Sequence, residues 1–176
     1  MSARGFNATG VQEITAAAGV PKGSFYNYFD SKEAFAVAVL TEYWEAVVAE
    51  YGAILNQRRA SPLARIARYF AGLAEFHERR RYAVGCLIGN MALEVTPTSE
   101  VVRIKLAAIY RDWSAALASC LREAKEKGEL SAGKDPGQLA VALIDTFEGA
   151  VMRAKVERSR APFDSFERFM LPALLS

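Results

Sequence analysis

The stretch that most constrains this chain is Thr9–Lys32, TGVQEITAAAGVPKGSFYNYFDSK. It predicts two short helices joined at Gly19-Val20. Glycine at 19 supplies the positive φ that a tight inter-helix turn requires, and Val20 is expected to plug the junction. Pro21 suits the first position of the second helix, where no backbone N–H is needed. In the first helix Val11, Ile14 and Ala18 recur at i, i+3 and i+7, giving one apolar face. In the second, Phe25 and Phe29 share a face with Tyr28 beside them, so that side is expected to pack inward.

At roughly 100° per residue, the opposite side carries Gly23, Tyr26 and Asn27, flanked by Lys22 and Ser24. An amide, a cation, a hydroxyl, a phenol and a bare backbone on one side of a helix suit the major groove of a duplex. Asn and Lys reach base edges, Tyr and Ser reach phosphates, and glycine lets the backbone approach. Lys32, past the turn Asp30-Ser31, stands where it can hold a phosphate. Taken singly, Tyr26 and Tyr28 fit core or surface aromatics equally well. The gathering of the polar set on one side favours the duplex.

Thr9, Ile14, Ala18-Gly19-Val20, Lys22-Gly23-Ser24, Tyr26-Asn27-Tyr28-Phe29 and Ser31-Lys32-Glu33 form an ungapped pattern. It resembles the helix-turn-helix of the TetR family of transcriptional regulators, with Thr9 opening the first helix. The resemblance implies an all-α fold. Residues 1–44 would form a DNA-binding head, and residues 45–176 a helical body for effector binding and dimerisation. It further implies a repressor released from a palindromic operator by a small apolar or electrophilic effector; no enzymatic activity, metal or cofactor is expected, and the expected location is the cytoplasm. The implied DNA-binding residues are Thr9, Gln12, Lys22, Gly23, Ser24, Tyr26, Asn27, Tyr28 and Lys32. In the family a full amphipathic helix precedes this point. MSARGFNA holds too little of one, so a further segment is expected ahead of it, with Phe6 after Gly5 as a core plug.

Charge permits this reading without arguing for it. The chain has 22 basic against 20 acidic residues. Up to residue 32, Arg4, Lys22 and Lys32 stand against Glu13 and Asp30. So few cations need help from a second copy and from hydroxyl and amide contacts. No uncharged apolar run approaches the ~18 residues of a membrane span, and the start lacks the layout of a signal peptide. Cys86 and Cys120 are far apart and match no metal or disulfide framework, so reduced thiols are expected.

Further along, Ser31 caps a connecting helix to about Asn56, striped by Phe35, Val39, Tyr43, Val47 and Ile54. Ser61-Pro62 opens the next helix, with Leu63, Ile66, Tyr69, Phe70, Leu73 and Phe76 inward. Tyr82–Glu94 is apolar nearly all round and predicts a short buried helix. Ser99 begins a long helix stopped by Gly128, and Pro136 begins another to about Arg160. A last helix covers Phe163–Leu174. No strand and no internal repeat is expected.

By the resemblance, the last two helices pair with those of a second copy. Leu139, Leu143, Phe147 and Val151 form one stripe, and Phe163, Phe166, Phe169, Met170 and Leu174 another. A lone monomer would struggle to cover both, so a homodimer is expected. Candidate effector contacts are Tyr69, Phe70, Leu73, Cys86, Asn90, Tyr110, Trp113, Phe147 and Met152, although aromatic stripes at helical spacing are more often plain core. The run Gly85-Cys86-Leu87-Ile88-Gly89-Asn90 resembles a segment of a TetR subgroup whose cysteine responds to electrophiles or oxidants. A free cysteine is more commonly a small buried hydrophobe. Two other readings stand beside this one. A thiol enzyme would pair Cys86 with His77, the sole histidine, and a helical dimer would not bind DNA at all.

Overall fold

The computed structural model describes residues 5–176. Its α-helices are α1 (Val11–Ala17), α2 (Lys22–Phe25), α3 (Lys32–Val47), α4 (Ala53–Leu55), α5 (Pro62–Arg79), α6 (Leu87–Glu94), α7 (Glu100–Glu126), α8 (Pro136–Glu157), α9 (Ala161–Ser165) and α10 (Leu171–Leu175). Stretches of π-helix, Val48–Gly52 and Phe166–Met170, join α3 to α4 and α9 to α10. Among the described residues there is no strand, as the turn chemistry and periodicity predict.

The chain forms two compact units. One holds the residues up to Glu45 together with Cys86–Ile109, the other Ala46–Gly85 and Tyr110–Ser176. Sequence order alone does not give this division, because α6 and the start of α7 group with the N-terminal helices. The expected helix ahead of the head lies outside the described residues.

In the first unit, α1 and α2 follow the predicted helix pair, and Gly19 takes its positive φ of 67°. Gly10, not Thr9, caps α1, and the Glu13 carboxylate accepts from the Gly10 N–H at 2.9 Å. Val20 is 44% exposed and does not plug the junction, and Ala18 is exposed as well. The inner position goes instead to Thr15, 3% exposed, whose hydroxyl donates back to the carbonyls of Val11 and Gln12. A threonine can bury its methyl while its hydroxyl bonds the preceding turn, so periodicity counted over apolar residues alone missed it. Phe25, Phe29 and Phe35 meet as a trio with ring centroids 5.0–5.5 Å apart. Along α3 the fully buried residues are Ala36 and Leu40, one position beyond the expected Phe35 and Val39, which stay half-buried.

A clamp closes this unit. Glu94, the last residue of α6, accepts the Phe6 N–H at 2.8 Å and the Asn7 N–H at 2.6 Å. The Asn7 amide donates in return to the Glu94 carbonyl at 3.2 Å, one of the acceptors a helix end leaves unmatched. Gly5 makes the approach possible. Its φ is +85°, and a Cβ there would lie 2.7 Å from a Glu94 carboxylate oxygen. Phe6 is 4% exposed, the expected plug.

In the second unit, Ser61 caps α5 with Pro62 at its first turn, and Asp135 caps α8 with Pro136 likewise. The core is an aromatic cluster in which Phe70, Phe147 and Phe166 lie 5.0–5.3 Å apart and Phe163 is 5.6 Å from Phe147. Arg65 is also buried, at 2% exposure, donating to the Leu55 carbonyl at 2.9 Å and bridging Glu123 at 2.5 Å. Tyr51 packs against Gly72, where a Cβ would come within 3.0 Å of its ring. The expected short helix over Tyr82–Glu94 begins only at Leu87. Arg81 and Tyr82 are left-handed, which a helix cannot continue through.

Candidate nucleic-acid interface

The test of the head is whether α2 shows its polar side to solvent. Phe25 is 4% exposed, while Tyr26 is 56% and Tyr28 80% exposed. Lys22, Gly23 and Asn27 are exposed and Ser24 half-buried. The aromatic trio therefore anchors the element, and the amide, cation and phenol set stands clear of the fold. A Cβ built at Gly23 meets no atom within 4 Å, so its backbone is open to an approaching surface.

Helical geometry beyond α2 is carried by turns. The N–H groups of Asn27 and Tyr28 donate to the carbonyls of Ser24 and Phe25 at 3.3 and 3.1 Å. These three-residue bonds tighten the chain and swing Tyr28 outward. The inward placement of Tyr28 beside Phe25 and Phe29 is thus corrected, and it joins the exposed set.

Of the other expected contacts, one is open to solvent and two are engaged within the fold. Gln12 is exposed on α1. Thr9 is 8% exposed and its hydroxyl donates to the Gly5 carbonyl at 2.6 Å, a local structural bond. Lys32 is half-buried, its ammonium donating to the Phe6 carbonyl at 2.5 Å and lying 4.1 Å above the Phe6 ring. The expected phosphate ligand is already engaged in fixing the segment that Glu94 holds from the other side. Glu94 itself was not legible, since 87 and 88 residues separate it from its partners.

The expected effector contacts differ in exposure and fall in both units. Tyr69, Phe70, Leu73 and Phe147 are buried in the core of the second unit. Trp113 is 3% exposed and stacks on half-buried Tyr110 at 6.3 Å. Met152 is 57% exposed, on the outer side of α8, so it lines no interior surface. Cys86 and Asn90 belong to the first unit. Cys86 is 7% exposed and occupies the N-cap position of α6. The other thiol, Cys120, is also buried, and desolvation raises its pKa.

His77 is 5% exposed and stacks on Phe163. Burial lowers its pKa to about 4, partly opposed by a hydrogen bond with the Val84 backbone. It is a neutral core histidine.

Residues 1–39 match bacterial regulatory proteins of the tetR family, and residues 62–170 match the tetracyclin repressor-like C-terminal domain. The HTH-type transcriptional repressor DhaR of Mycobacterium sp. (strain GP1) is 41% identical over 172 residues, covering 98% of this chain and 85% of that protein. A crystal structure of a regulatory protein TetR from Rhodobacter sphaeroides superposes with a TM-score of 0.90 at 35% identity, over 97% of this chain and 90% of that one. The reduced form of Escherichia coli NemR superposes with a TM-score of 0.84 at 32% identity, over 98% and 89% of the two chains. With its exposed α2 face, its all-helical fold and matches across both regions, this chain belongs to the TetR family of transcriptional regulators.

Proposed function

We propose that this protein is an effector-responsive repressor that binds a palindromic operator as a homodimer. The observation that carries this is the outward set Lys22, Gly23, Ser24, Tyr26, Asn27 and Tyr28 over the buried Phe25. Asn27 and Lys22 read base edges, Ser24 and the two tyrosines hold phosphates, and Gly23 admits the backbone. Two copies set one helical turn apart supply the cations that a single head lacks. The likeness to the named repressors DhaR and NemR supports the direction of regulation. No described helix is long and apolar enough to cross a membrane.

The stripes read from the sequence are exposed only in part, at Phe169 and Met170. Leu143, Phe147, Val151, Phe163 and Phe166 are all within the core. The apolar residues left outside are Val141, Met152 and Val156 on α8, with Phe169 and Met170 of the following π-helical stretch, 45–79% exposed. A second copy is the occupant we assign to them, since both elements belong to the region the family uses for pairing.

For the effector, Cys86 at the start of α6 is the residue we assign to an electrophilic or oxidising signal. Cys86 is the N-cap residue of α6, and adduct formation there would disturb α6, whose far end grips Phe6 and Asn7. The effector must prefer one state of the head by ~1–3 kcal/mol to give useful regulation. The deciding experiment selects an operator from random duplexes with the purified protein, then titrates a quinone or a reactive aldehyde. Release from the operator by wild type and retention by Cys86→Ser is expected. Selection of no sequence would leave the non-DNA-binding helical dimer, and equal release of both forms would move sensing away from Cys86.

A further inference from the structure

Helices α5 and α8 both end on non-glycine residues in the left-handed region, namely Arg81 (φ 52°) with Tyr82 (φ 56°), and Arg158 (φ 49°). Helix ends usually give this conformation to glycine, because a Cβ crowds the following carbonyl. Here all three residues border one cleft of about 630 Å3, whose other walls are Glu78, Arg80 and Ala83.

The charge of this cleft is unbalanced. Glu78, the one carboxylate lining the cleft, is bridged by Arg160 at 3.1 Å, which offsets its charge toward an anion. Arg160 is further tied to Asp164 and Glu167, and neighbouring Arg79 to Glu50. The Arg80 Cζ lies 3.7 Å from the centroid of the Phe76 ring, a cation–π contact that uses the face of the guanidinium and not its N–H groups. Among the described residues, no carboxylate lies within ion-pair distance of Arg80, Arg81 or Arg158. Cations do complement the negative end of a helix. A lysine anywhere in the last turn would serve that purpose, without straining residues 81, 82 and 158 toward one opening. Strained backbone of this kind points to function.

We infer that this cleft is a binding site for a small dianion, a phosphate monoester or a dicarboxylate, gripped by the guanidinium forks of Arg81 and Arg158 with Arg80 beside them. It uses none of the residues assigned to the operator or to Cys86, and it stands whether or not those assignments hold.

The test is calorimetric titration of the full-length protein with inorganic phosphate and, separately, with succinate at physiological ionic strength. Saturable binding of at least one of them, one per chain with a Kd below about 10 mM, is expected, and which one binds distinguishes the two sources. Arg81→Gly/Arg158→Gly should weaken that binding by about tenfold or more, while its melting temperature rises as the strain is relieved. Arg122→Ala, at an exposed arginine of α7, should bind like wild type. The proposal is overturned if neither anion saturates, or if the double variant binds unchanged. It is equally overturned if Arg122→Ala weakens binding as much, or if the double variant melts lower.

Discussion

A methyl group added at Gly23 would meet no protein atom within 4 Å, and glycine inside a helix is less stable than alanine by roughly 0.5–1 kcal/mol. Gly23→Ala is therefore expected to keep or raise the melting temperature. Operator affinity, followed by fluorescence anisotropy, should fall by about tenfold, because a backbone lying against a duplex has no room for the methyl. Tight operator binding by the stabilised variant would remove Gly23 from the interface. His77 makes the opposite kind of prediction, one about the fold alone. Its folded pKa of about 4 lies below the ordinary 6.5, so the unfolded chain takes up a proton between these values that the folded chain refuses. Stability contributed here is full above pH 6.5 and is lost as pH falls toward 4, by about 3 kcal/mol in all. Denaturant midpoints measured from pH 7 to pH 4 should show this slope, and His77→Gln should flatten it. Polar groups that fold inward, such as Thr15 and Arg65, were not legible as buried, and His77 was legible only as either core or surface. Each is polar by composition and becomes tolerable only through a partner that folding supplies.

At the scale of elements, caps and breakers read well and faces read less well. Ser61-Pro62 and Asp135-Pro136 open their helices as expected, because the cap is satisfied within three residues of sequence. Which side of a helix faces inward depends on its neighbours. The π-helical stretch Val48–Gly52 was read as plain helix, yet its extra residue turns Tyr51 toward the bare backbone of Gly72. The clamp between α6 and the segment before α1 is likewise a product of the fold. Glu94→Ala would leave the N–H groups of Phe6 and Asn7 without their acceptor, at a cost of ~1.5–3 kcal/mol for a charge-assisted bond. Weaker operator binding with α2 intact by circular dichroism is expected. Unchanged affinity and unchanged melting would show that the clamp fixes nothing the head needs.

For the molecule as a whole, pairing is the property most exposed to test. Val156→Glu with Phe169→Glu places charges on residues that are 79% and 60% exposed, so the isolated chain should fold as before. Light scattering is expected to show a monomer, and operator affinity to drop by about a hundredfold or more once the second head no longer binds as part of one molecule. A double variant that remains dimeric would place the interface elsewhere. Regulation should fail with it, since an effector acts by shifting a preference between states of the assembled pair.

The sequence by itself determined the helix class, the Ser61-Pro62 and Asp135-Pro136 helix starts, the helix-turn-helix and the polar set from Lys22 to Tyr28. These rest on interactions within a few residues, where chain geometry is fixed by φ, by capping bonds and by a period of 3.6. Only the tertiary structure decided that Lys32 holds Phe6 instead of standing free and that α8 turns its Leu143, Phe147 and Val151 stripe inward. It also brought Glu94 to Phe6 and Asn7 and gathered Arg80, Arg81 and Arg158 at one cleft. Each of these joins groups far apart in sequence, and their energies depend on burial and distance that no local pattern encodes.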